Sequence, residues 1–99
     1  MSWNIERSHK ARFDLLEIWD YIATENPAAA DRQIDKIETF FDLLADFPKI
    51  DRERNDIVVG ARGFTKGRYL ILYRLEEARQ IVQIVRVIDG MSDLQSLFS

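Results

Sequence analysis

Apolar residues recur along the chain in two rhythms, and the change from one to the other divides it. Trp3 to Arg7 alternates Trp3, Ile5 and Arg7 against Asn4 and Glu6, the rhythm of a half-buried strand. From His9 to Glu25, Ala11, Leu15, Ile18, Trp19 and Ile22 return at helical spacing, with Leu16 and Ala23 widening the stripe. Asn26-Pro27 supplies an N-cap followed by proline at the first helical position, so a second helix is expected to start there. Its apolar set is Ile34, Ile37, Phe41 and Leu44, flanked by Phe40, Leu43 and Phe47, and Pro48 closes it. A connection this short predicts an antiparallel helical hairpin.

The rhythm then shortens. Lys49 to Asp56 holds a single apolar residue and reads as a solvated connection. Ala61 to Lys66, Arg68 to Leu75 and Gln80 to Ile88 read as strands, joined by turns at Lys66-Gly67 and Glu76 to Arg79. Tyr69 to Tyr73 is apolar at every position, which predicts a central strand buried on both faces. Asp89-Gly90 ends this meander, and Asp93, Leu94, Leu97 and Phe98 suggest a short closing helix. The expected fold is α+β: an N-terminal strand, a helical hairpin packed on a three- to four-stranded antiparallel sheet, and a short C-terminal helix.

Composition narrows the chemistry. At 99 residues, 46% hydrophobic and 31% charged, the chain suits one soluble domain spanning 1–99. It shows no run long enough for a bilayer span and no signal-like start, so a cytoplasmic location is expected. With no cysteine and a single histidine, His9, thiolate chemistry is excluded, and neither a metal centre nor a cofactor is expected. Asp31, Asp35, Glu38 and Asp42 line one side of the second helix and read as a solvated face. No nucleophile elbow occurs, and Gly60, Gly63 and Gly67 match neither a Walker loop nor a dinucleotide fingerprint. A net charge of −3 argues against broad nonspecific nucleic-acid binding.

What stands out is arginine in the second half. Arg62, Arg68, Arg74, Arg79 and Arg86 fall on the expected strands and turns, while most acids lie on the helices and the loop. Arg62, Arg68, Arg74 and Arg86, with Tyr69 or Tyr73, are placed on the sheet face left open by the hairpin, suited to grip carboxylates or phosphates. The alternative is that they lie along the sheet and pair with Asp56, Glu76 and Asp93.

Leu15 to Ala23 followed by Asn26-Pro27-Ala28-Ala29-Ala30 resembles the helical hairpin of ParE toxins. Gly60 to Phe64, Gly67 to Arg74, Ile84 to Gly90 and Asp93-Leu94 extend the resemblance over nearly the whole chain. It implies a toxin of a type II toxin–antitoxin pair in the ParE/RelE superfamily, whose ParE-type members act on DNA gyrase and whose RelE-type members cut messenger RNA on the ribosome. Met91 to Ser99 lacks the Tyr, His, Lys or Arg expected of RNA cleavage, and with the acidic pI this favours a non-enzymatic gyrase inhibitor. Where many relatives carry His before the C-terminal glycine, this chain carries Asp89.

The resemblance further implies a ParD-like antitoxin that wraps and neutralises the toxin as a hetero-oligomer, with DNA reached only through the antitoxin. Toxicity is expected at Arg62, Arg68, Tyr73, Arg86, Asp89 and Asp93. Antitoxin binding is expected at Phe13, Trp19, Tyr21 and Arg74, beside a sheet edge open to strand addition. A RelE-like ribosome-dependent endoribonuclease and a non-toxic antitoxin-binding module are the alternatives.

Overall fold

The computed structural model describes Ser2–Gly90 and contains β1 (Asn4–Arg7), α1 (His9–Ala23), α2 (Pro27–Asp46), β2 (Arg62–Lys66), β3 (Tyr69–Glu76) and β4 (Ile81–Asp89). The expected closing helix and Asp93 lie outside these residues. Each helix starts on a capping side chain: Ser8 Oγ accepts from Ala11 N at 3.0 Å, and Asn26 Oδ1 accepts from Ala29 N at 3.1 Å ahead of Pro27.

The strands form a sheet in the order β1-β4-β3-β2. β2, β3 and β4 make the expected antiparallel meander, and Gly67, with φ +59°, opens the two-residue turn between β2 and β3. β1 departs from expectation by running parallel to β4, so the sheet is mixed. The hairpin intervenes between β1 and the meander, so β1 joins β4 from a distant part of the chain and is free of the antiparallel direction a tight turn imposes.

Alternation along β3 splits the core. Tyr69, Ile71 and Tyr73 pack with Ile37, Phe41 and Leu44 under the helices, whereas Leu70 and Leu72 face the other way with Ile88. That second face is covered in part by Ile57 and Val58, so the segment after α2 is more than a solvated connection. The same segment borders β2: Arg54 N donates to Ala61 O at 2.7 Å and Gly63 N to Arg52 O at 3.1 Å. The β2 edge of the sheet is thereby occupied over its first residues.

Candidate functional site

β4 carries one residue more than β3 can pair. Leu72 lies opposite Arg86 and Tyr73 opposite Ile84, which leaves Val85 as the extra residue of a bulge. A bulge orphans backbone groups, and here the start of α1 takes them up. Ser8 N donates to Ile84 O at 2.9 Å, Ser8 Oγ donates to Val85 O at 2.7 Å, and Asp14 Oδ2 accepts from Val87 N at 2.9 Å. Ser8 therefore caps the helix and closes the bulge with one hydroxyl.

The bulge also redirects Arg86. Ile84 and Val87 both belong to the core under the helices, and between them the Arg86 guanidinium meets Asp14 through two bonds, Nε at 2.8 Å and Nη2 at 3.0 Å. The pair is largely withdrawn from solvent, with side chains 18% and 10% exposed. The Asp14 hydrogen bonds raise the Arg86 pKa above its ordinary value, against the opposing effect of burial.

A second fork lies at the end of the same strand. Arg68, at the β2–β3 turn, donates through Nε at 3.0 Å and Nη2 at 2.5 Å to Asp89, which raises the arginine pKa. Gly90 N donates to the Arg68 carbonyl, and a Cβ on Gly90 would sit 2.7 Å from that oxygen, so only glycine fits there without displacement. Between the two forks and α1 opens a cleft of about 460 Å³, lined by Glu17, Ile18, Tyr21 and Ile22 on the helix and by Tyr69, Val87 and Ile88 on the sheet. Burial pushes the Tyr69 phenol above its usual range.

The four arginines expected on one open sheet face are thus dispersed. Arg68 and Arg86 share the cleft, on the helix side of the sheet. Arg62 donates to Asp51 O at 2.6 Å and lies opposite Tyr73 in the β2–β3 register; Arg74 donates to Val59 O at 3.1 Å on the opposite face. Arg79 pairs with Glu76. The dispersal has two causes: the bulge turns Arg86 toward α1, and carbonyls of the 51–60 segment draw off Arg62 and Arg74. Tyr73 is fully buried, and its hydroxyl makes no hydrogen bond of good geometry among the described residues. Burial raises its pKa, while the Arg62 guanidinium and the Asp51 backbone act in the opposite direction.

Phe13 and Tyr21 are exposed as expected, and Tyr21 borders the cleft. Trp19 is half-buried, and its indole N–H donates to Asp31 Oδ1 at 2.8 Å, which ties α1 to α2. Within the acidic side of α2, Asp31 thus serves the hairpin and Glu38 pairs with Arg7 at 3.2 Å; no group of three potential metal ligands occurs among the described residues. Asp14 is the residue that sequence reasoning missed. The available signal was its position inside the Ala11, Leu15, Ile18 stripe, where a charged side chain must find a buried partner.

Residues 5–94 match the family model described as the ParE toxin of the type II toxin–antitoxin system parDE. The chain belongs to the ParE toxin family. It is similar to Toxin ParE3 of Caulobacter vibrioides, 37% identical over 65 residues, a match that covers 66% of this chain and 63% of that protein's length. Its fold is similar to that of a chain in the RelBE2 toxin–antitoxin complex of Mycobacterium tuberculosis, with TM-score 0.72, 21% identity, and coverage of 90% of this chain and 99% of the other. A chain of the chromosomal ParDE system of P. aeruginosa gives TM-score 0.73 and 22% identity, covering 89% and 96%. Membership of the ParE toxin family and the α+β architecture, both expected from sequence, are therefore shown. No helix among the described residues is long and apolar enough to cross a membrane.

Proposed function

We propose that this toxin acts as one domain in the cytoplasm, inhibits DNA gyrase by binding it, and is neutralised by a ParD-like antitoxin. The observation that carries the reading is the state of the two cleft arginines. Arg68 and Arg86 are each held in a two-bond fork by a carboxylate, and the cleft is lined by three carboxylates, Asp14, Glu17 and Asp89, against these two guanidinium groups. An RNA phosphate would have to displace an internal carboxylate and then sit among excess negative charge. A protein surface carrying apolar groups and both signs of charge meets no such penalty. In this reading the toxin makes and breaks no bonds, and the partly exposed Arg68, 49% exposed, reaches the target.

Tyr21 and the cleft's apolar floor of Ile18, Ile22 and Val87 suit an apolar segment of the antitoxin, with its charged groups beside Arg68 and Asp89. The pairing of toxin with antitoxin in the ParDE system of P. aeruginosa supports a partner of this kind. The test is a gyrase supercoiling assay with purified toxin. Inhibition is expected, weakened at least about tenfold by Arg68→Ala, the order of loss for a charged contact at an interface. Intact supercoiling together with codon-spaced cuts in cellular transcripts would replace gyrase inhibition by ribosome-dependent RNA cleavage.

A further inference from the structure

A groove beside the β2–β3 turn is set apart by its charge. Gln33, Lys36 and Phe40 reach it from α2, where spacings of three and four put them on one face, and Lys66, Arg68 and Tyr69 reach it from the hairpin. It measures about 340 Å³, and no carboxylate lines it. Each arginine of the strands and their turns is met by a carboxylate or a carbonyl, whereas Lys36 and Lys66 have no such partner among the described residues. Both lysines are exposed, and the half-buried Gln33 side chain also makes no hydrogen bond among the described residues. Asp89 takes Nε and Nη2 of Arg68, which leaves Nη1 for a second acceptor. In a chain of net charge −3, Lys36, Lys66 and Arg68 thus share one hollow with no acid on its walls.

We propose that this groove is an oxyanion site that takes a terminal phosphate group, as free phosphate or on a nucleotide. Like charges gathered in one hollow repel, and a bound anion turns that repulsion into attraction. The donors favour phosphate over carboxylate. Each ammonium offers three N–H donors, and the Arg68 Nη1 and the Gln33 amide nitrogen offer two each. To such a set a phosphate monoester presents three terminal oxygens and about two negative charges, a carboxylate two oxygens and one charge. Lysine suits phosphate as a point charge that needs no fixed angle of approach. The cleft differs in this respect. There a phosphate must displace Asp14 or Asp89, whereas in the groove Arg68 can donate from Nη1 and keep its fork with Asp89. Arg68 and Tyr69 border both hollows, yet the phosphate site stands apart from the gyrase reading, since it needs neither a target protein nor the cleft.

Titration of the isolated chain with inorganic phosphate at constant ionic strength, followed by amide proton–nitrogen correlation spectra, tests it. Saturable shifts are expected at the Gly67 and Arg68 amides and the Gln33 side-chain amide, with dissociation in the low-millimolar range that suits an open site. Lys36→Gln and Lys66→Gln are each expected to weaken binding at least about threefold, the order of an exposed charge contact, and the double variant about tenfold. Lys10→Gln removes the same charge from α1, outside the groove, and is expected to bind as the native chain does. The dispersion of each spectrum reports that the variant is folded. Adenosine 5′-monophosphate separates the two sources: binding at least about tenfold tighter than phosphate assigns a nucleotide, and equal binding assigns free phosphate, both in support. Shifts that never saturate, or that fall away from the groove, overturn the proposal, as does a Lys10→Gln loss equal to that of Lys66→Gln. If acetate or tetraglutamate binds the groove as tightly as phosphate, the site belongs to carboxylates of an acidic peptide and the proposal fails.

Discussion

Two arginine–carboxylate forks of nearly the same geometry stand at opposite ends of one cleft, and they do different work. Arg86 and Asp14 are 18% and 10% exposed, and Asp14 also accepts the Val87 amide of the β4 bulge. Arg68 and Asp89 are 49% and 25% exposed and close the end of the β2–β3 hairpin. The first fork fastens α1 to the sheet and cannot be opened without stranding a charge and an amide in a low-dielectric interior. The second exchanges with solvent at small cost. The contrast teaches that hydrogen-bond geometry does not tell a structural arginine from an available one. Burial and the carboxylate's other obligations do.

The sharpest way to break the contrast is Asp14→Ala. It leaves Arg86 buried without its partner and Val87 N without an acceptor, and is expected to cost about 3 kcal/mol in urea unfolding. Arg86→Met should cost less, because the surviving carboxylate keeps the Val87 amide as a partner. Equal losses for the two would show that the bulge amide contributes nothing. Removing the outer fork with Arg68→Ala is expected to change stability by no more than about 1 kcal/mol. Its effect should fall on gyrase inhibition, so a mutant that unfolds as readily as Asp14→Ala would erase the distinction between the forks.

Alkaline titration extends the comparison to the phenols. Burial raises the pKa of Tyr69 and Tyr73, so their neutral forms support the fold at neutral pH. A raised folded-state pKa means that this stability is intact below the unfolded value of about 10 and is lost as pH climbs through the folded value. Unfolding monitored at far-ultraviolet wavelengths should therefore coincide with late tyrosine ionisation at 295 nm. Tyrosines that ionise with the fold intact would contradict this. The smallest effect is expected from Tyr73→Phe, neutral or stabilising by up to about 1 kcal/mol, because a buried hydroxyl without a good partner is removed. A loss above that would mean that the Tyr73 hydroxyl is engaged through water near Arg62.

The elements were legible because their causes are local. Asn26-Pro27 marks the start of α2, the spacing of Ile34, Ile37, Phe41 and Leu44 marks its buried side, and the unbroken apolar run at Tyr69 to Tyr73 marks a strand covered on both faces. The site was half legible. Arginine content draws attention to Arg68 and Arg86 and suggests the sheet face left open by the hairpin; both line the cleft on the helix side instead, Arg86 beside the Val85 bulge of β4 and Arg68 at the β2–β3 turn against Asp89. Asp14 is not legible in the same way, since one acid in a helix looks like solvated surface until the helix is docked.

Residue types at short separations were enough for the family resemblance, the helical hairpin and the meander. Only the tertiary structure decided that β1 runs parallel to β4, that Ile57 and Val58 shield the far face of the sheet, and that Asp14 rather than solvent holds Arg86. The Asp14 contact with Arg86 joins residues 72 positions apart. A pattern of period two or 3.6 reports which way a side chain leaves its own element, whereas the group it meets is fixed by how the elements pack.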